Sequence, residues 1–161
     1  MDDLANLSGK LLYMDVFDKK TRSGIMAKVK GKNTKPELAV RSLLHSMGFR
    51  FRLHRKDLPG KPDLVLPRYH VALFVHGCFW HGHTDCPRSA HPTSNTEFWT
   101  KKLNGNRDRD KRDFERLIHL GWRVIVVWEC EIKNVSRLRE VLSNAIKCSE
   151  QDNRNGSIVP A

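Results

Sequence analysis

The run Trp122-Arg-Val-Ile-Val-Val-Trp128 constrains this fold more than any other stretch of the chain. Its consecutive β-branched residues favour a strand, and with nothing polar alternating among them that strand belongs in a sheet interior. Val71-Ala-Leu-Phe-Val75 reads as a second buried strand. Thr34-Lys-Pro-Glu37 opens a helix, with Thr as N-cap, Pro in the first turn and Gly48 as its stop. Phe49–His54 alternates apolar and basic residues, as a half-exposed strand does. Pro62–Leu66 precedes the Val71 strand through a tight turn at residues 67–70. Asn106–Leu120, ended by Gly121, and Asn134–Cys148 read as two more helices, and Thr21–Val29 as a short basic one. The order is helix, three strands, helix, strand, helix. It predicts an α/β fold with a sheet flanked by helices.

A chain of 161 residues is expected to form one domain. That domain spans residues 14–148, preceded by an extension at 1–13 and followed by a frayed tail at 149–161, both expected to be disordered. The formal charge of +11 is unevenly placed: residues 19–61 hold 13 of the 29 Lys and Arg against two acids, Glu37 and Asp57, and the remainder is neutral. A field of one sign confined to one segment points to a polyanion, nucleic acid ahead of a membrane. No run approaches the ~20 apolar residues of a membrane span. With no secretory signal in view the cytoplasm is expected, so Cys78, Cys86, Cys130 and Cys148 read as thiols or metal ligands before disulfides. Cys148 shares helical spacing with Leu138, Leu142 and Ile146 and reads as core.

Chemistry concentrates in His76-Gly-Cys-Phe-Trp-His81-Gly-His83-Thr-Asp-Cys86, which gathers three imidazoles, two thiols and two large aromatic rings at a strand end. His83, Cys86 and the distant Cys130 suit Zn²⁺, which takes four N, S or O donors; spacing alone leaves the fourth open. Cys78 reads as a packed or free thiol. Phe79 and Trp80, flanked by polar ligands, suit insertion between base steps better than ordinary core. Pro62-Asp63 sets a carboxylate at a strand start, where it can hold Mg²⁺ through oxygen. Glu37 completes a capping box with Thr34, a structural role that would by itself place a Glu there.

Helix with Glu, strand with Asp, then a further strand is an order similar to that of Mg²⁺-dependent nucleases of the restriction-endonuclease fold. Those normally finish with Glu-x-Lys or Asp-x-Lys, where this chain has Phe74-Val75-His76. A closer likeness is carried by Lys19-Lys-Thr-Arg-Ser23, Pro59-Gly-Lys-Pro-Asp63, His76-Gly-Cys-Phe-Trp-His81, Thr96-Glu-Phe-Trp99, Asn106-Arg-Asp-Arg-Asp110 and Gly121-Trp-Arg-Val with Trp128-Glu-Cys130. In that order, over residues 14–131, these resemble the very-short-patch repair endonucleases, bacterial enzymes that nick DNA at T:G mismatches left by deamination of 5-methylcytosine.

The resemblance implies a restriction-endonuclease-like core with a catalytic Mg²⁺ and a structural Zn²⁺. It makes Asp63 the Mg²⁺-binding carboxylate, helped by the backbone carbonyl of Val75, a position that often carries Thr in the family. His81 becomes the general base, a task suited to an imidazole, with Glu37 and His76 in support. Asp110 becomes the fourth zinc ligand beside His83, Cys86 and Cys130. One extra residue between His83 and its Cys leaves His81, Asp85 or His91 as other choices. Trp99, and Met26 on the 14–33 segment, join Phe79 and Trp80 as intercalating residues, and Lys102 and Asn106 touch the mismatched pair. Lys28, Lys30, Lys32 and Lys35 grip phosphates without reading sequence. The implied partner is double-stranded DNA with a T:G mismatch, bound by a monomer in the bacterial cytoplasm at the nucleoid, with repair proteins as further partners. Two other readings fit the residues: a restriction enzyme for paired DNA, and a zinc-bearing DNA-binding module without catalysis.

Overall fold

Both apolar runs lie at the centre of one mixed sheet. The computed structural model describes residues 21, 24, 31–147 and 158–160. Its strands are β1 (Arg52–Leu53), β2 (Leu64–Leu66), β3 (Val71–His76), β4 (Arg123–Trp128) and β5 (Ile158–Pro160), adjacent in that order. β1, β2 and β3 are antiparallel neighbours, whereas β3 and β4 run parallel, from Val71 opposite Arg123 to His76 opposite Trp128. The helices are α1 (Lys35–Ser46), α2 (Cys78–His81), α3 (Thr96–His119) and α4 (Val135–Lys147). The crossover from β3 to β4 carries α2 and α3, and with them most of the motif residues. Among the described residues, no helix is long and apolar enough to cross a membrane.

Strand periodicity divides the interior in two. Leu64, Leu66, Val71, Leu73, Ile125 and Val127 face α1 and α4, where they meet Val40, Leu43, Leu44, Leu138, Leu142 and Ile146. Val65, Ala72, Phe74, Val124 and Val126 point the other way, onto Phe114 and Leu117 of α3. Successive residues of one strand therefore feed opposite cores, which is why β3 and β4 lack polar alternation. Each fully buried Leu or Ile contributes roughly 1.5–3 kcal/mol.

α1 begins where its sequence says. Thr34 caps it, accepting from the Glu37 N–H while the Glu37 carboxylate accepts from the Thr34 N–H. Gly48 ends it at φ +82°, a backbone conformation that favours glycine. Three expectations need correction. The strand expected over 49–54 is ordered only at Arg52–Leu53, an exposed edge. The helix expected from Asn106 begins ten residues earlier, at Thr96, and runs through Gly105 without a break. Gly105 has open space around it, and burial of Trp99 and Leu103 holds the added turns. Within the stretch expected as a tail, Ile158–Pro160 adds a strand parallel to β4. Residues 1–13, most of the basic helix expected at Thr21–Val29, and Cys148 lie outside the described residues.

Candidate active site at the end of the central strands

Among the described residues, three groups of ligand-type side chains collect around the carboxyl end of β3, each with its donor atoms within 4.8 Å of one another. The first is Glu37, His54 and Asp63. Asp63 immediately precedes β2, and its Oδ2 accepts the backbone N–H of Val75 at 2.8 Å, which ties the acid to β3. Burial raises the Asp63 pKa and the nearby Glu37 charge adds to this, while the Val75 N–H works in the opposite direction. Glu37 is buried at the start of α1, where its carboxylate accepts from Asn33 and Thr34 and pairs with Arg41 at 2.9 Å. Cap and site are therefore the same residue: the capping box fixes the carboxylate that faces Asp63.

The second group is His76, His81 and Asp110. His76 is the last residue of β3 and His81 the last of α2, and their rings stack at 3.7 Å with 16° between planes. Asp110 reaches in from α3, with Oδ2 2.5 Å from His81 Nδ1. An ionised carboxylate only accepts hydrogen bonds, so Nδ1 carries the proton and Nε2 keeps a free lone pair. Burial lowers the pKa of His76 to about 3, so this ring is neutral. A neutral ring packed against His81, Phe114 and Trp128 serves as a wall that fixes the His81 plane.

The third group is Cys78, His83, Cys86 and Cys130. Asp110, expected as the fourth donor, is not part of it: its carboxylate is engaged by His81. Cys78 stands in that place, because the first turn of α2 aims its buried side chain at Cys130 rather than into solvent. Burial pushes the Cys78 thiol up to about 12. His83 Nδ1 lies 3.3 Å from Cys130 Sγ, and its ring stacks on Trp128 at 4.2 Å. Asp85, just before Cys86, turns the chain through φ +55°. Three thiols and an imidazole match the donor set of a closed structural zinc site.

Beside these groups the rings of Phe79, Trp80 and Trp99 form a cluster, with centroids 5.1 to 6.1 Å apart. Phe79 and Trp80 are half-buried, but Trp99 is only 7% exposed and the neighbouring Phe98 is 56% exposed. Asn106 donates to the Trp80 carbonyl at 3.0 Å, so it braces the aromatic turn. Lys102 is exposed on α3, as are Lys32 and Lys35 at the start of α1. Gly82 turns the chain at φ +62° with Arg107 packed where a side chain would stand, and Arg107 donates to its carbonyl at 3.0 Å. Met26, Lys28 and Lys30 lie outside the described residues.

Residues 14–88 match the family described as DNA mismatch endonuclease Vsr. The chain is 51% identical over 132 residues to the type II nicking enzyme V.XorIIP of Xanthomonas oryzae pv. oryzae, covering 82% of this chain and 96% of that one. It is 44% identical over 126 residues to the DNA mismatch endonuclease Vsr of Escherichia coli, covering 78% of this chain and 80% of that protein. This chain belongs to the Vsr family. Among solved structures it is similar to the catalytic domain of the homing endonuclease I-Bth0305I, with a TM-score of 0.52 and 18% identity over 74% of this chain and all of that one. That likeness concerns the fold, which is restriction-endonuclease-like.

In this Vsr-family chain the structure brings Glu37 to Asp63, His76 and Asp110 to His81, and His83 to Cys86 and Cys130. Sequence reasoning did not single out His54 and read Cys78 as a packed or free thiol, whereas both stand in ligand-type groups. Cys78 had a signal, since it stands five residues before His83 in the same cluster. His54 had none, because it joins Asp63 only through strand pairing.

Proposed function

We propose that this protein nicks duplex DNA on the 5′ side of the mismatched T in T:G pairs that arise by deamination of 5-methylcytosine, and so opens very-short-patch repair. The observation that carries the reading is the meeting of a partly buried two-carboxylate group with an oriented His81–Asp110 pair at one strand end. Phosphodiester hydrolysis needs both: a site for a divalent cation, and an acceptor for the proton of water.

Asp63 and Glu37, with the Val75 carbonyl, supply hard oxygen donors suited to Mg²⁺. When bound there, Mg²⁺ stabilises charge on the phosphate and on the leaving oxygen. His81 Nε2 accepts a proton from the attacking water, and Asp110 stabilises the imidazolium that results. His76 holds the His81 ring in plane. Cys78, His83, Cys86 and Cys130 would hold a structural Zn²⁺, joining α2 and its aromatic turn to the end of β4.

Phe79 and Trp80 wedge between base steps, with Trp99 behind them and Met26 opposite. A wobble pair stacks less firmly, so kinking there costs less. Lys102 and Asn106 contact the mismatched pair; Lys28, Lys30, Lys32 and Lys35 contact phosphates, which makes affinity fall steeply with salt. The enzyme acts as a monomer in the bacterial cytoplasm, with repair proteins following it to the nick. The test is a nicking assay with Mg²⁺ on a strand-labelled T:G duplex, its T:A and C:G parents, and an Asp63→Ala control. Cutting of the T strand alone, lost in the control, is expected. Equal cutting of the parents would reassign the protein as a restriction-type nuclease, and tight binding without cutting as a recognition module.

A further inference from the structure

Arg41 stands one turn beyond Glu37 on α1, and its guanidinium enters the acid group instead of solvent. Nη2 donates to Glu37 Oε2 at 2.9 Å and lies 3.0 Å from His54 Nε2, while Nη1 donates to Asn33 Oδ1 at 2.7 Å. Its Nε is buried with no hydrogen-bond partner. A guanidinium only donates, so His54 Nε2 is the acceptor and the imidazole is neutral with its proton on Nδ1. His54 is held just after β1 at φ +46°, a left-handed conformation that side chains disfavour. A ring nitrogen of His54 lies within 4.8 Å of carboxylate oxygens of both Glu37 and Asp63.

We propose that His54 is a nitrogen donor of the cation site at Glu37 and Asp63, and that Arg41 is the cation that holds Glu37 and His54 in place until a metal ion displaces it. This rests on the reading of Asp63 as a metal ligand. Ligation by His54 and its bond to Arg41 exclude each other whichever ring nitrogen is used. A metal on Nε2 takes the lone pair that Arg41 now engages. A metal on Nδ1 moves the proton to Nε2, where it meets the guanidinium donor. Arg41 keeps its second anchor on Asn33, so it can leave His54 without leaving the site. An imidazole among carboxylates also changes the ion that fits. Mg²⁺ favours an all-oxygen shell, whereas first-row ions such as Mn²⁺ accept mixed nitrogen and oxygen donors. The site therefore binds Mn²⁺ more tightly than Mg²⁺.

Zinc-loaded protein titrated with Mn²⁺ tests this, with free ion read by electron paramagnetic resonance, bound ion by its nitrogen hyperfine coupling, and Mg²⁺ by competition. The wild type is expected to bind Mn²⁺ with nitrogen coupling and in preference to Mg²⁺. His54→Gln is expected to lose that coupling and to weaken Mn²⁺ by about tenfold or more, with less effect on Mg²⁺. Arg41→Met, which removes the competing cation, is expected to tighten both ions. Mn²⁺ bound through Asp63 without nitrogen coupling, or with the same coupling in His54→Gln, overturns the role of His54. Unchanged affinity in Arg41→Met overturns the role of Arg41. If Asp63→Ala binds Mn²⁺ like the wild type, or no Mn²⁺ binds, the reading of Asp63 falls first and this proposal with it.

Discussion

His81 and Asp110 are 29 residues apart in the chain and 2.5 Å apart in the fold, joined Nδ1 to Oδ2. α2 delivers the imidazole and α3 the carboxylate, so the pair exists only once the crossover has packed. Asp110→Asn puts an amide where the carboxylate was, and the amide can donate to Nδ1 and favour the wrong tautomer. Single-turnover nicking of a T:G duplex is expected to fall by about 10²–10⁴-fold, with DNA affinity little changed. Full activity in this variant would remove the proton-acceptor role from His81.

The same substitution separates the His81–Asp110 pair from the thiol group. Asp110→Asn is expected to keep its zinc, because Asp110 faces His81 and not the thiols. Cys78→Ser is expected to lose zinc affinity by tenfold or more and to unfold at a lower temperature, since a structural zinc contributes folding energy directly. Elemental analysis of the purified variants, read beside their melting curves, decides it. Zinc loss from Asp110→Asn with retention in Cys78→Ser would restore Asp110 as the fourth ligand.

Much of this architecture was legible because single strands declare themselves. Val124–Val127 and Val71–Val75 are apolar on both faces, and the Thr34–Glu37 capping box marks the start of α1. Asp63 and the His76–Cys86 cluster stood out for a similar reason, since turn-forming residues are cheaper in a surface loop. What could not be read depends on contacts distant in sequence. The helix expected from Asn106 extends back through Gly105 to Thr96 because Trp99 and Leu103 are buried along α3. His54 looks like a strand-end residue until β1 pairs with β2 and brings it to Asp63. Asp110 fits a zinc site on paper; helix packing gives it to His81 instead.

His76 makes folding sensitive to mild acid. Its pKa of about 3 lies below the 6.5 of an ordinary histidine, because burial disfavours the charged ring. Below pH 6.5 the unfolded chain takes up a proton that the folded chain refuses. The stability present above that pH is therefore lost as pH falls toward 3, by about 2 kcal/mol between pH 6.5 and 5 from this group. Urea unfolding at the two pH values should show a shallower dependence in His76→Phe, by about that amount. Identical slopes in the two proteins would rule this source out.

Asp63 sits on the opposite side of the stability ledger. Burial raises its pKa above the ordinary 3.8, so the folded state holds its proton more firmly than the unfolded state does. Stability from this group therefore falls as pH rises through that interval, and at neutral pH the ionised side chain weakens the fold. Asp63→Asn keeps an oxygen that can accept from Val75 but removes the charge. With zinc retained and Mg²⁺ omitted, its melting temperature is expected to rise by a few degrees, while nicking is lost. A lower melting temperature would show that the carboxylate contributes to the fold as well as to the chemistry.

Trp80 and Trp99 share one aromatic cluster but differ in burial, and that difference predicts separable defects. Trp99 is nearly enclosed, so Trp99→Ala leaves a cavity and is expected to cost about 3–5 kcal/mol of stability. Trp80 is half-buried on the short turn of α2, braced through its carbonyl by Asn106, and its ring can reach a partner without unfolding anything. Trp80→Ala is expected to melt near the wild type while losing discrimination between a T:G duplex and its parents, because the wedge into the base stack is gone. Melting curves and relative nicking rates on the three duplexes, measured for both variants, give the answer. Equal destabilisation by the two substitutions would make Trp80 a packing residue and leave Phe79 and the exposed Phe98 to meet the DNA.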